Sequence, residues 1–114
     1  MTLSIKESSY IRFLNCVKTL DTDPSLDSIQ MELLDFVMLA QAEGKEILMG
    51  HLLALVHLGS LATLHSRIKK LNAMGYLETI TDAKDNRKKK IFITKLTMKY
   101  YDKLSKCLLK SVSN

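Results

Sequence analysis

GSLATLHSRIKKLNAMGYLETITDAKDNRKKKIFIT, residues 59–94, reads as one helix followed by a basic two-stranded ribbon, and the rest of the chain is arranged around it. Leu61, Leu64, Ile68 and Leu71 fall three, four and three residues apart, the stripe of a helix laid on a core. Ser60 is placed to cap the start of this helix, and Gly75 to stop it. Leu77–Thr81 and Lys90–Thr94 are short and rich in β-branched and aromatic residues, whereas Asp82 to Arg87 between them is turn-prone and charged. The spacing predicts a β-hairpin with a basic tip.

Upstream, Ser4-Ile5-Lys6-Glu7 has the form of a capping box, and Tyr10, Phe13, Leu14, Val17 and Leu20 continue at helical spacing. Asp21-Thr22-Asp23-Pro24-Ser25 ends that first helix, because proline cannot continue it. Asp27 with Gln30 caps a second helix, apolar on more than one face, that stops at Gly44. Lys45–Leu48 is either an extended link or a third strand paired through a single residue. Met49–Val56 is then a short buried helix, joined to the Ser60 helix by His57-Leu58-Gly59, a helix-turn-helix arrangement.

Downstream, Thr94 or Thr97 caps a last helix. In it Tyr101, Leu104, Leu108 and Val112 make one stripe and Lys99, Lys103, Lys106 and Lys110 another. The chain therefore begins and ends with amphipathic helices that have no evident partner in a domain of 114 residues.

Composition and charge narrow the function. With 46% hydrophobic and 25% charged residues the chain is an ordinary folded sequence. Residues 1–66 carry 4 basic and 8 acidic side chains, a net of −4, and residues 67–114 carry 13 basic and 4 acidic, a net of +9. Such polarity points to a surface for a polyanion, the plainer alternative being a solvated lysine-rich face.

On the predicted helix, Ala62, Thr63, Ser66, Lys69 and Lys70 lie opposite the apolar stripe, with His65 and Arg67 on the flanks. Small and polar residues near a helix start, with cations further along, suit the major groove of DNA. In the hairpin, Lys84, Arg87, Lys88, Lys89 and Lys90 would follow the backbone or place a guanidinium in the narrow groove. Arg87 is the best placed for that insertion, and it is equally placed to pair with Asp82 or Asp85 and order the turn.

Asp82, Asp85, Arg87, Ile91, Ile93 and Thr94, in the pattern D-x-x-D-x-R-x-x-x-I-x-I-T, resemble the wing signature of MarR-type winged-helix transcription regulators. The preceding S-x-A-T-L-H-S-R-I-K-K-L segment resembles the recognition helix of bacterial winged helix-turn-helix proteins more generally, and the likeness extends over roughly residues 29–97. The resemblance differs at Leu58 and Thr97, where the family commonly has glycine, and at Ser66, where it often has arginine. It implies a mainly α fold with a small β-hairpin, a winged-helix core over 27–94, and dimerisation helices over 1–24 and 95–114. A homodimer on a pseudo-palindromic operator is implied, with Ser60, Thr63 and their neighbours on DNA and Arg87 in the adjacent minor groove. Tyr10, Phe13, Leu14, Val17, Tyr101, Leu104, Leu108 and Val112 would then form the dimer interface.

Other chemistries find little support. His51, His57 and His65 are six and eight residues apart and do not share one helical face, so no metal is expected. Cys16 and Cys107 form no C-x-x-C motif and read as reduced, buried small hydrophobes. Neither G-x-S-x-G nor a glycine-rich phosphate loop occurs, so no enzyme and no cofactor are expected. Met1 leads into a polar segment, and the apolar run 47–58 is too short to span a bilayer, which points to the cytoplasm and to no membrane partner. A small-molecule effector is not assigned. Two functional classes stay open: a DNA-binding regulator, or a winged-helix module that docks on another protein or serves in assembly. Within the first, a role in replication or plasmid maintenance is a further alternative.

Overall fold

The structure, a computed structural model, describes residues 8–20 and 26–113. Its elements are α1 (Ser9–Lys18), α2 (Ser28–Ala42), α3 (Met49–Leu53), α4 (Leu61–Ala73), β1 (Leu77–Thr81), β2 (Lys89–Ile93) and α5 (Lys95–Val112). The chain divides into two compact units, Pro24–Thr97 and the pair of segments Met1–Asp23 and Met98–Asn114.

In the unit Pro24–Thr97, the core comes from one face of each element. Leu33, Leu34 and Val37 of α2, Leu52 of α3, and Leu64, Ile68 and Leu71 of α4 are buried with Leu77 of β1 and Ile91 of β2. Each such side chain contributes on the order of 2 kcal/mol by leaving water. α2 starts with the predicted cap: Asp27 Oδ1 accepts from the Gln30 N–H at 2.8 Å, and Gln30 Oε1 accepts from the Asp27 N–H at 2.9 Å. α4 starts at Ser60, whose Oγ accepts from the Thr63 N–H at 3.2 Å. It ends before Gly75, where φ is +85° and a side chain would be strained.

β1 and β2 form an antiparallel hairpin in which Leu77 faces Ile93 and Thr81 faces Lys89. The second strand thus begins at Lys89, one residue before its expected start. Lys45–Leu48 resolves as the third, single-residue pairing: Leu48 bridges Lys90, and the Ile91 N–H donates to the Ile47 carbonyl at 2.8 Å. Gln41 on α2 secures the same strand, its Oε1 accepting from the Ile93 N–H at 2.6 Å. Thr97 is fully buried and donates to the Tyr76 carbonyl at 2.6 Å, while Thr94 donates to the Gly75 carbonyl at 2.6 Å and accepts from the Thr97 N–H. Thr94 is therefore the cap of α5. Thr97 instead ties that helix start to the segment entering β1, which accounts for a hydroxyl residue at this position.

Two expectations fail here. Leu61 is 62% exposed and does not join the core stripe, because it opens the first turn of α4 and the buried row begins one turn later, at Leu64. The third helix stops at Leu53, not Val56. The N–H groups of Leu55, Val56 and Leu58 donate to the carbonyls of Leu52, Ala54 and Leu55, a run of tight turns that leaves Val56 exposed.

The other unit holds α1 and most of α5. Residues 4–7, with the expected capping box, and the 21–25 turn lie outside the described residues. Arg12 donates to the carbonyl of Ser111, and Ser111 Oγ donates to the Cys107 carbonyl at 2.7 Å. The most buried residues of this part of α5 are Cys107 and Ser111. The packed face is thus turned away from the predicted Tyr101, Leu104, Leu108 and Val112 stripe: Tyr101 and Leu104 are half-buried, and Leu108 and Val112 are exposed. Cys16 and Cys107 also depart from expectation. They are paired with each other, with Cα atoms 5.6 Å apart, because α1 and α5 lie side by side although the two cysteines are 91 positions apart in the chain.

Candidate nucleic-acid interface

α4 presents the predicted polar side. Ala62, His65, Ser66, Lys69 and Lys70 are exposed, and Thr63 is half-buried. The Ser60 hydroxyl donates to Thr63 Oγ1 at 2.9 Å, so the two hydroxyls at the helix start are locked to each other. A Cβ at Gly59 would lie 3.3 Å from Thr63 Cγ2, so the glycine lets the preceding turn come close to this first helical turn. At the other end, Asn72 donates to the Ile68 carbonyl and accepts from Thr79 Oγ1 at 3.0 Å, fixing β1 against α4.

Arg67 has a partner that its position on the helix did not reveal. Its Nε donates to Asp27 Oδ2 at 2.6 Å, linking the middle of α4 to the cap of α2. Burial pushes the Asp27 carboxyl up, but the N–H of Gln30 and then the Arg67 guanidinium outweigh it and hold the carboxyl below its ordinary value. One carboxylate thus serves as helix cap and as counter-ion.

The hairpin turn is built by its own aspartates. Asp82 Oδ1 accepts from the N–H groups of Lys84 and Asp85, which, chiefly through Lys84, lowers its pKa. Asp85 Oδ1 accepts from the Arg87 N–H at 3.0 Å, and its carboxylate meets Arg87 Nε at 3.4 Å. Of the two pairings weighed for Arg87, the one with Asp85 forms, yet the Arg87 side chain stays 94% exposed.

At the hairpin root a second acid acts. Glu46 lies 3.2 Å from the Lys90 ammonium and 3.4 Å from that of Lys88, and Asp82 lies 3.8 Å from Lys90. The Lys90 contact is the largest influence; burial opposes it, and Lys88 adds to it, so the Glu46 carboxyl is held low. Glu46 lies more than 40 residues before these lysines in the chain, and no local spacing announces it.

Lys69, Lys70, Lys84 and Lys89 make no ion pair with any described residue. His65, Lys69 and Lys89 line a shallow cleft of about 220 Å³ between α4 and the hairpin, floored by Met49, Ile68, Asn72 and Thr79. Met49 and Lys89 also border a neighbouring cleft of about 260 Å³ lined by Gly50, His51, Arg87 and Lys88. His51 stands at the start of α3, its Nδ1 accepting from the Leu48 N–H at 3.0 Å, so that nitrogen is an acceptor. No group of metal-binding side chains occurs among the described residues.

The same arrangement of helices and hairpin occurs in solved structures. The chain is similar to the transcriptional regulator Tm0710 from Thermotoga maritima, with a TM-score of 0.65 and 23% sequence identity, covering 93% of this chain and 70% of that one. It is also similar to a mutant of S. aureus MepR bound to an oligodeoxyribonucleotide, with a TM-score of 0.59 and 17% identity, covering 96% of this chain and 80% of the other. No family model matches the sequence, and no curated protein matches it. The likeness is one of fold: a mainly helical chain with a two-stranded antiparallel hairpin, the winged helix-turn-helix architecture.

Proposed function

We propose that this chain is a MarR-type regulator that binds double-stranded DNA as a homodimer and controls transcription in the cytoplasm. α4 enters the major groove and the hairpin lies on the minor groove or the backbone. The observation that carries this reading is the continuous cationic face across α4 and the hairpin, where Lys69, Lys89 and Arg87 border two adjoining clefts without a buried acid between them. Ser60, Ala62, Thr63, His65 and Ser66 supply the short side chains at the leading end of the helix. Lys70 and Lys84 extend the phosphate contacts. Arg67 acts mainly by positioning α4, since its Nε is given to Asp27, while Lys88 and Lys90 meet phosphate after exchanging Glu46 for it. The similarity to a DNA-bound MepR supports the reading at the level of fold.

The homodimer rests on the apolar residues that α1 and α5 leave in water. Tyr10 is 65%, Leu108 56%, Leu109 67% and Val112 63% exposed, a concentration of apolar side chains that a soluble chain ordinarily covers. Phe13, Leu14, Val17, Tyr101 and Leu104 belong to the same proposed interface; Leu14 is exposed and the other four are half-buried.

The test is titration of labelled duplex DNA at several salt concentrations. Phosphate contacts release counterions, so the logarithm of affinity falls linearly with the logarithm of salt, by about 0.9 for each phosphate neutralised. Absence of binding at low salt would overturn the proposal. A second reading, docking on a protein, is favoured by Val56 and Leu61, 76% and 62% exposed at the turn before α4 and at its start. It predicts salt-insensitive capture of an apolar partner and no duplex binding.

A further inference from the structure

Cys16 of α1 and Cys107 of α5 are the chain's two cysteines, and the fold brings them together from opposite ends of the sequence, with Cα atoms 5.6 Å apart. That separation lies within the range a disulfide spans without backbone movement. One hydrogen bond that does not involve sulfur also crosses between the two helices, Arg12 to the Ser111 carbonyl, one turn from Cys16 on α1 and one turn from Cys107 on α5, while Thr19 Oγ1 to the Cys16 carbonyl and Ser111 Oγ to the Cys107 carbonyl fix each helix locally. Their accessibility differs, Cys107 being 2% exposed and Cys16 half-buried.

We propose that Cys16 and Cys107 form a reversible redox site that takes a low-molecular-weight disulfide as oxidant and closes an intrachain cross-link between α1 and α5. Cys16, the more accessible, reacts first. Its thiolate attacks one sulfur of the oxidant, forming a mixed disulfide on Cys16 and releasing one small thiolate. The Cys107 thiolate then attacks Cys16 Sγ, forming the Cys16–Cys107 bond and expelling the second small thiolate. Two protein thiols are oxidised, one small disulfide is reduced to two thiols, and the two protons leave the cysteines for the expelled thiolates. A disulfide in a reducing compartment is transient and serves sensing more often than stability, which fits a single pair with a reactive outer and a shielded inner sulfur.

The closed loop contains the entire unit Pro24–Thr97, so oxidation constrains the unfolded chain over most of its length. It also fixes the two helices that carry the exposed apolar residues assigned to the second copy. The chemistry does not depend on what the protein binds, so its failure and that of the DNA-binding reading are separately visible.

The experiment equilibrates the full chain in graded ratios of reduced to oxidised glutathione, quenches in acid, alkylates under denaturing conditions and weighs the intact protein. The expected result is loss of both alkylatable thiols in one step, a monomer on non-reducing electrophoresis, and an apparent Tm higher by about 5 °C or more in the oxidised form. Cys107→Ser should stop at the glutathione adduct on Cys16, and Cys16→Ser should resist modification. Thiols that remain alkylatable at the most oxidising ratio, a cross-link between two chains, or an unchanged Tm would each overturn the proposal, and all three are read on the wild-type protein.

Discussion

Replacing Asp27 with alanine should destabilise the unit that carries α4 by about 1–2 kcal/mol, because one carboxylate both caps α2 and holds Arg67. The cap accounts for about 1 kcal/mol of this. The ion pair adds less than about 1 kcal/mol, since its side chains are 40% and 35% exposed and solvent screens them. At about 4–8 °C per kcal/mol for a unit of this size, the melting temperature should fall by about 5–15 °C. Asp27→Asn separates the two effects: asparagine still caps the helix but carries no charge, so its loss should be the smaller. A double-mutant cycle with Arg67→Ala then isolates the pair. The sign of the pH dependence follows from the lowered carboxyl. Its stabilisation is fully present above the unfolded pKa, near 3.8, and is lost as pH falls through the lower folded value. Urea unfolding followed by circular dichroism should show wild type and Asp27→Ala well separated at neutral pH and converging as pH falls below the unfolded value. An Asp27→Ala midpoint equal to wild type at neutral pH, or a gap that does not narrow in acid, would refute the dual role.

Three further outcomes are expected. Lys69→Ala should reduce the slope of the salt dependence of DNA affinity by about one phosphate, whereas Arg67→Ala, its guanidinium already engaged, should change the slope less; fluorescence anisotropy at several salt concentrations measures both. Arg87→Ala should weaken binding about 10- to 100-fold while leaving the melting temperature in place, because the side chain is 94% exposed; unaltered affinity would remove the hairpin tip from the mechanism. Leu108→Glu combined with Val112→Glu should yield monomers in sedimentation velocity, as both residues are exposed on α5, and an intact dimer would place the interface elsewhere.

The elements were legible wherever a local pattern sufficed. Asp27 and Gln30 name a capping box by residue type and spacing, and both of its bonds form. Leu64, Ile68 and Leu71 mark the buried side of α4 by their period, and Gly75 marks its end by the backbone it permits. What stayed hidden depends on chain folded between the partners. Arg67 reads as a free flank of a DNA-facing helix until Asp27, on another element, takes its Nε. Cys16 and Cys107 look unrelated because they stand 91 positions apart, and nothing in either neighbourhood marks the other. The inner face of α5 stayed hidden for a related reason. The period of the leucines marks an apolar stripe, but the face shielded within the chain goes through Cys107 and Ser111, which no apolar period announces.

Net charge by itself does not locate the proposed interface. Most of the cations follow residue 66, yet acids from the first half of the chain reach back to them: Asp27 holds Arg67, and Glu46 sits between Lys88 and Lys90. The partnered cations lie at the flank of α4 and at the hairpin root, where they stiffen the joints between elements. Those without an ion pair to any described residue lie on the outer side of α4, at Lys69 and Lys70, and along the hairpin, at Lys84 and Lys89. Arg87 is intermediate, since an exposed contact with Asp85 is weak enough to exchange for phosphate. Acids placed this way divide one basic surface into cations that are ion-paired and cations that have no such pair among the described residues. On the proposed reading a polyanion reaches Lys69, Lys70, Lys84 and Lys89 without breaking an ion pair to a described residue, leaves the Asp27–Arg67 pair in place, and recruits Lys88 and Lys90 only by displacing Glu46.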